Sequence, residues 1–175
     1  MGQQPFEVVL EAHHAEIYRY LRRVTSHPSV AEDLSQDTFL RAYRAYRRLA
    51  PDANVRAWLF TIATNLSRNH FRAERRRNRA HAEARAARAQ VDGAGPDGEI
   101  LFNEARARLD RVVAGLPLKQ RLAFLLRKVH DLDYEAVARS LGCSPESARA
   151  HVFQALRKIR RDLDGLALPH MEPQP

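Results

Sequence analysis

With 175 residues and 45% hydrophobic content, the chain can bury one moderate core or two small ones. Its 29 Lys and Arg against 21 Asp and Glu leave a net charge of +8, which favours a polyanionic partner, nucleic acid being the usual one. No apolar run reaches the roughly 18 residues of a membrane-spanning helix, so membrane insertion is excluded.

The first predicted element is a helix. Phe6, Val9, Leu10, Ile17, Leu21 and Val24 recur at the three- and four-residue spacing of one helix face, and His27-Pro28 ends it. Ser29-Val30-Ala31-Glu32 reads as a capping box for a second helix, which runs through "EDLSQDTFLRAYRAYRR" and stops at Pro51. A third helix begins near Asn54, with Ala57, Trp58, Ile62, Ala63 and Leu66 on its inner side. No stretch alternates apolar and polar residues for long enough to form a strand, so the expected fold class is all-α.

After Leu66 the composition changes. Residues 68–88 hold eight arginines against Glu74 and Glu83, a stretch that can extend the third helix. The segment "VDGAGPDG" (91–98), with three glycines and a proline, cannot. A flexible linker is therefore expected at 80–98, between one small helical domain at 1–79 and a second at 99–168, with a disordered tail at 169–175. In the second domain, Leu101, Ala105, Leu109, Val112 and Val113 line one helix, closed by Gly115 and Pro117. A helix containing "RLAFLLRKV" follows. Asp133 can cap the next helix, Tyr134 to Leu141, and Gly142 supplies a left-handed turn residue. Ser144, Pro145 and Glu146 suit the first positions of a last helix that buries Ala148, Val152, Ala155, Leu156 and Ile159.

The last two helices and their short turn form a helix-turn-helix unit, whose second helix enters the major groove. Projection at 100° per residue leaves Glu146, Ala150, Phe153, Gln154, Arg157 and Arg161 pointing outward, with Arg149 at the flank. Arg and Gln can pair bidentately with base edges, and Ala and Phe can meet a thymine methyl. Lys158, Arg160 and Arg161 suit phosphates better. A plain helical hairpin would have little use for Phe153 on its polar side.

Three blocks resemble the extracytoplasmic-function (ECF) sigma factors of bacterial RNA polymerase. "AEDLSQDTFLRAYRAY" (31–46) is similar to the family's segment that docks on the clamp helices of the polymerase's largest subunit. "VRAWLFTIATNLSRNHFRAERRR" (55–77) resembles its promoter-melting, minus-ten segment, and the loop "APDANV" (50–55) resembles the loop that captures a flipped base. The block from Leu116 to Arg161 resembles the domain that reads the minus-thirty-five element. The resemblance implies a region 2 bundle and a region 4 helix-turn-helix domain. It also implies core RNA polymerase (clamp helices and flap), promoter DNA and an anti-sigma factor as partners in a stress-response role, with no cofactor, metal or catalysis.

Onto matching positions it carries polymerase binding by Asp33, Leu34, Gln36, Asp37 and Leu40, and minus-ten contacts by Asn54, Asn65, Arg68, Asn69, Arg72, Arg75 and Arg76. Minus-thirty-five contacts fall on Arg149, Ala150, Phe153, Gln154, Arg157, Lys158 and Arg161. The sequence departs from the family at Asn69, where Asp is common, and at Ala150 and Gln154, which implies an altered preferred promoter.

The residues themselves agree. Asp33, Gln36, Asp37 and Leu40 project together with Leu34 beside them, and an acidic-apolar cluster on a basic chain suits a protein partner. The basic ridge of the third helix has Trp58, Phe60 and Phe71 interleaved as candidate stacking surfaces. There is no Gly-rich phosphate loop and no His/Cys cluster with metal-ligand spacing, so an enzyme is not expected. "MGQQPFEVV" lacks a signal core, and the single Cys143 cannot form an internal disulfide, so a soluble, cytoplasmic chain is expected. A stand-alone helix-turn-helix regulator and an RNA-binding protein remain as alternatives, and neither has a use for the patch around Asp37.

Overall fold

A computed structural model describes residues 4–85 and 102–164. Seven helices follow in order: α1 Phe6–Thr25, α2 Pro28–Tyr46, α3 Val55–Arg85, α4 Phe102–Ala114, α5 Leu118–Phe124, α6 Tyr134–Leu141 and α7 Pro145–Asp164. There is no strand among the described residues, and α5 continues into a π-helical turn, Leu125–Val129. No described helix is long and apolar enough to cross a membrane.

Local chemistry sets most helix ends. Ser26 adopts a left-handed conformation (φ 62°) and its N–H closes α1 on the Arg22 carbonyl. Pro28 then occupies the first position of α2, where its missing N–H costs nothing. Helix α2 therefore starts at Pro28 after an extended His27 that makes no side-chain cap, and Ser29 to Glu32 lie inside the helix instead of forming a capping box. The Asn54 carboxamide oxygen accepts from Ala57 N at 2.9 Å to start α3, and Asp133 accepts from Ala136 N at 2.7 Å to start α6. Gly142 ends α6 at φ 62°, and Ser144 Oγ accepts from Ser147 N at 3.2 Å. Helix α3 runs on to Arg85, past the expected domain end at residue 79, while the Gly/Pro-rich part of the expected linker and the 169–175 tail lie outside the described residues.

Helices α1 to α3 share one core. Ile17, Tyr20, Leu21 and Val24 meet Ala31, Phe39 and Ala42 of α2 and Leu59, Phe60 and Ala63 of α3. The buried Tyr20 hydroxyl is matched by Thr64 Oγ1 at 2.8 Å, and its ring stands edge-on to Phe60 at 5.2 Å. The same buried cluster continues through Val113 of α4 and through Leu122, Leu125, Leu126, Val137, Leu141, Val152 and Ala155, which join α5 to α7. Leu10, Leu109 and Leu156, expected inside, are partly exposed, because the packed faces are narrower than the periodicity suggests. His13 is half-buried and His14 is exposed.

The two domains meet through polar contacts as well as through the His130 ring, which packs on Tyr20 and Phe60. Glu16 of α1 accepts from Arg56 of α3 at 2.5 Å and lies 3.2 Å from His130 Nδ1, just after the π turn. Arg56 also donates to the His130 carbonyl at 2.6 Å, and Thr61 Oγ1 lies 2.9 Å from Ser140 Oγ. Arg121 of α5 donates to the Val24 carbonyl at 2.7 Å and to Ala114 O. Burial pushes the His130 imidazole below its ordinary value, partly offset by Glu16, while Arg56 and Arg23 add to the depression. For Glu16, burial alone would raise the carboxyl, but hydrogen bonds from Arg56 and His130 outweigh it and hold it low.

The neutral His130 that docking prefers contributes fully above its ordinary value of 6.5, and that contribution fades as pH falls below it. Docking is therefore expected to loosen over the interval just below pH 6.5, seen as a rise in radius of gyration by small-angle scattering. A His130→Gln variant is expected to show a flatter response over that interval, and an equal rise in both proteins would remove His130 as its source.

Candidate nucleic-acid and protein interfaces

The exposed side of α7 is built by burial of its opposite face. Ala148, Val152, Ala155 and Ile159 fill the core, which leaves Arg149, Ala150, Phe153, Gln154, Arg157 and Arg161 exposed and Lys158 half-buried. Phe153 is 66% exposed, so a large apolar ring meets water on a face otherwise polar. Arg149 Cζ sits 5.0 Å from the Tyr134 ring centroid, and its Nη1 is 3.8 Å from Glu146 Oε1. Glu146 is held below the ordinary carboxylate value by its own backbone N–H and by Ser144. Gln120 of α5 donates from Nε2 to Gln154 Oε1 at 2.9 Å.

On α2 the structure brings together four of the five residues expected to form a protein-docking face. Asp33, Gln36, Asp37 and Leu40 are exposed along one side. Leu34 does not join them: it is 8% exposed and packs in the core, because it follows Ala31 by one helical turn on the buried stripe. Sequence reasoning missed Tyr43, three residues beyond Leu40 on the same side. Tyr43 is 61% exposed beside Leu40 at 48%, and its ring stands edge-on to Phe6 at 5.4 Å. The signal was the three-residue spacing from Leu40.

The ridge of α3 divides. Asn65, Asn69, Arg72, Arg75 and Arg76 are exposed. Arg68 is half-buried and turned toward the other domain, its Nη1 3.6 Å from where a Cβ on Gly142 would lie. The aromatic residues do not form an open stacking surface. Phe60 is fully buried, Trp58 is half-buried with its ring 6.5 Å from that of Tyr46, and Phe71 is half-buried with the Arg121 guanidinium 5.8 Å from its centroid. Asn54 is exposed, with its carboxamide oxygen engaged in capping α3. Cys143 is half-buried against the core. No group of three or more His, Cys, Asp or Glu side chains that could hold a metal occurs among the described residues.

Comparison with known proteins gives a consistent result. Residues 9–77 match the family model for Sigma-70 region 2, and residues 106–159 match that for Sigma-70 region 4. The chain is 36% identical over 129 residues to the ECF RNA polymerase sigma factor EcfG of Rhodopseudomonas palustris, covering 74% of this chain and 68% of that protein. It is 31% identical over 170 residues to the RNA polymerase sigma factor CarQ of Myxococcus xanthus, covering 95% of this chain and 94% of that one. In fold it is similar to the sigma factor RpoE solved in complex with the anti-sigma factor NepR from Bartonella quintana. The TM-score is 0.69 at 24% identity, over 91% of this chain and 96% of that one.

Proposed function

The chain belongs to the ECF sigma factors of RNA polymerase, and from that premise we propose how its surfaces divide the work. The exposed acidic-apolar side of α2, Asp33, Gln36, Asp37, Leu40 and Tyr43, takes core polymerase. The outward ridge of α3, Asn65, Asn69, Arg72, Arg75 and Arg76, takes the minus-ten region, with Arg68 and the Asn54 loop joining once the domains part. The exposed side of α7 reads the minus-thirty-five element, with Arg149, Ala150, Phe153 and Gln154 toward bases and Arg157, Lys158 and Arg161 toward phosphates.

The observation that carries this reading is the separation of charge types. One domain places acidic and apolar groups on α2 and a run of arginines on α3, so a protein partner and a polyanion can be held together. The chain itself catalyses nothing. It works in the cytoplasm, where polymerase and promoters meet. The domain limits are proposed as 1–79 and 99–168, with the length between them spanning the gap when the two elements are engaged. The relative from Bartonella quintana was solved with an anti-sigma factor, and a partner of that kind is proposed here, covering the α2 and α7 surfaces.

The α3 ridge gives a direct test. Each of Arg72, Arg75 and Arg76 that neutralises a phosphate adds roughly one unit to the slope of log affinity against log salt. Replacing all three with Ala is expected to lower the slope by about three units, measured as holoenzyme affinity for promoter DNA across a salt series. An unaltered slope would leave the ridge as an ordinary solvated face.

A further inference from the structure

Arg149 stands on the exposed side of α7, its side chain 54% accessible, yet it is not unsupported. Its guanidinium carbon lies 5.0 Å from the centroid of Tyr134, the first residue of α6. The same ring carries the Arg127 guanidinium at 5.3 Å, and Arg127 is tied to Asp131 at 2.5 Å. Tyr134 is half-buried against the domain core and directly follows Asp133, whose side chain caps α6. The ring is thus anchored from below, while the arginine it carries reaches outward. Glu146, at 3.8 Å, cannot do the same: it is exposed, beyond good hydrogen-bond length and screened by salt.

We propose that Tyr134 is a positioning residue for upstream-element recognition, holding the Arg149 guanidinium ready for its base before DNA arrives. This rests on the reading of α7 as the recognition helix. A free arginine samples many rotamers, and ordering it in advance removes part of what a base contact costs. The flat guanidinium also stacks on an aromatic face, a fit that a lysine or an aliphatic support would not reproduce. Tyr134 acts through Arg149 and touches no base itself. It lies outside α7, so projecting the recognition helix alone would not find it.

The test is selection from promoters randomised in the upstream element, using holoenzyme assembled with the full chain. The readout is the ratio of preferred to disfavoured bases, which a uniform loss of stability would not move. Tyr134→Leu is expected to lower discrimination at the base assigned to Arg149 by about two- to fivefold, leaving other positions as in wild type. Tyr134→Phe, which keeps the ring, is expected to retain the wild-type ratio. In an Arg149→Ala background Tyr134→Leu is expected to add nothing. Tyr134→Met is read alongside as a second ring-free variant, in case one of the two fails to fold. If Arg149→Ala moves a base preference while both ring-free variants keep the wild-type ratio, the positioning role is wrong and the helix assignment stands. If Arg149→Ala moves no base preference, the assignment of α7 readout to Arg149 falls, and the role of Tyr134 with it.

Discussion

Leu34→Arg is expected to unfold the N-terminal domain, whereas Asp37→Arg leaves it folded and removes its grip on core RNA polymerase. The two residues lie three positions apart on α2, and burial separates their fates. Leu34 sits in the core among α1 and α3 side chains. A guanidinium there has no described acid buried beside it, and an uncompensated buried charge costs several kcal/mol, comparable to a domain's whole stability. Asp37 faces water, where substitutions change stability by about 0.5 kcal/mol or less. Its reversal instead puts a cation where the polymerase surface expects an anion, and like-charge contact across an interface costs several kcal/mol. Circular dichroism melts and co-elution with core polymerase measure the two halves. Co-elution of folded Asp37→Arg at the wild-type level would move the docking face elsewhere.

Changing Gln154→Arg is expected to shift the preferred base at one minus-thirty-five position from adenine toward guanine, by about 1–3 kcal/mol. Gln matches the donor-acceptor edge of adenine, and Arg matches the two acceptors of guanine. Gln120 adds a detail. Its Nε2 donates to Gln154 Oε1, and its own Oε1 is buried without a hydrogen-bond partner. The reverse amide orientation would bury two unpaired donors instead, a costlier choice. Gln154 therefore presents its NH2 freely and its oxygen shared, so its discrimination should be weaker than that of an unshared glutamine. Gln120→Ala is expected to sharpen the adenine preference. Arg149→Ala should weaken selection at a different base, and identical selected promoters from wild type and Gln154→Arg would show that this side chain meets no base edge.

Much of the fold is written locally. Asn54, Asp133, Gly142 and Ser144 act within three or four residues of themselves, so their helix ends could be read from the chain alone. The same local logic failed at Ser29 to Glu32, because Pro28 competes for the helix start and wins by its fixed φ. Periodicity found the faces but not their widths: Leu34 went inside, while Leu10, Leu109 and Leu156 stayed partly out. Which residue on a stripe is covered depends on the neighbouring helix, and that is tertiary information. Least legible was the seam between the domains. Glu16 and His130 are 114 positions apart, and nothing in either neighbourhood announces the other. The seam also explains why Arg68 and Phe71, read from the sequence as part of a DNA-facing ridge, face the second domain.

This chain gives core polymerase its promoter choice. The most direct measurement is transcription in vitro from a pool of promoter templates, with core polymerase alone and with the chain added. Transcripts are expected from a discrete set of start sites only when the chain is present, and they are expected to be lost on those templates when the upstream element is scrambled. A chain that binds the same DNA but leaves the transcript pattern of core polymerase unchanged would contradict it.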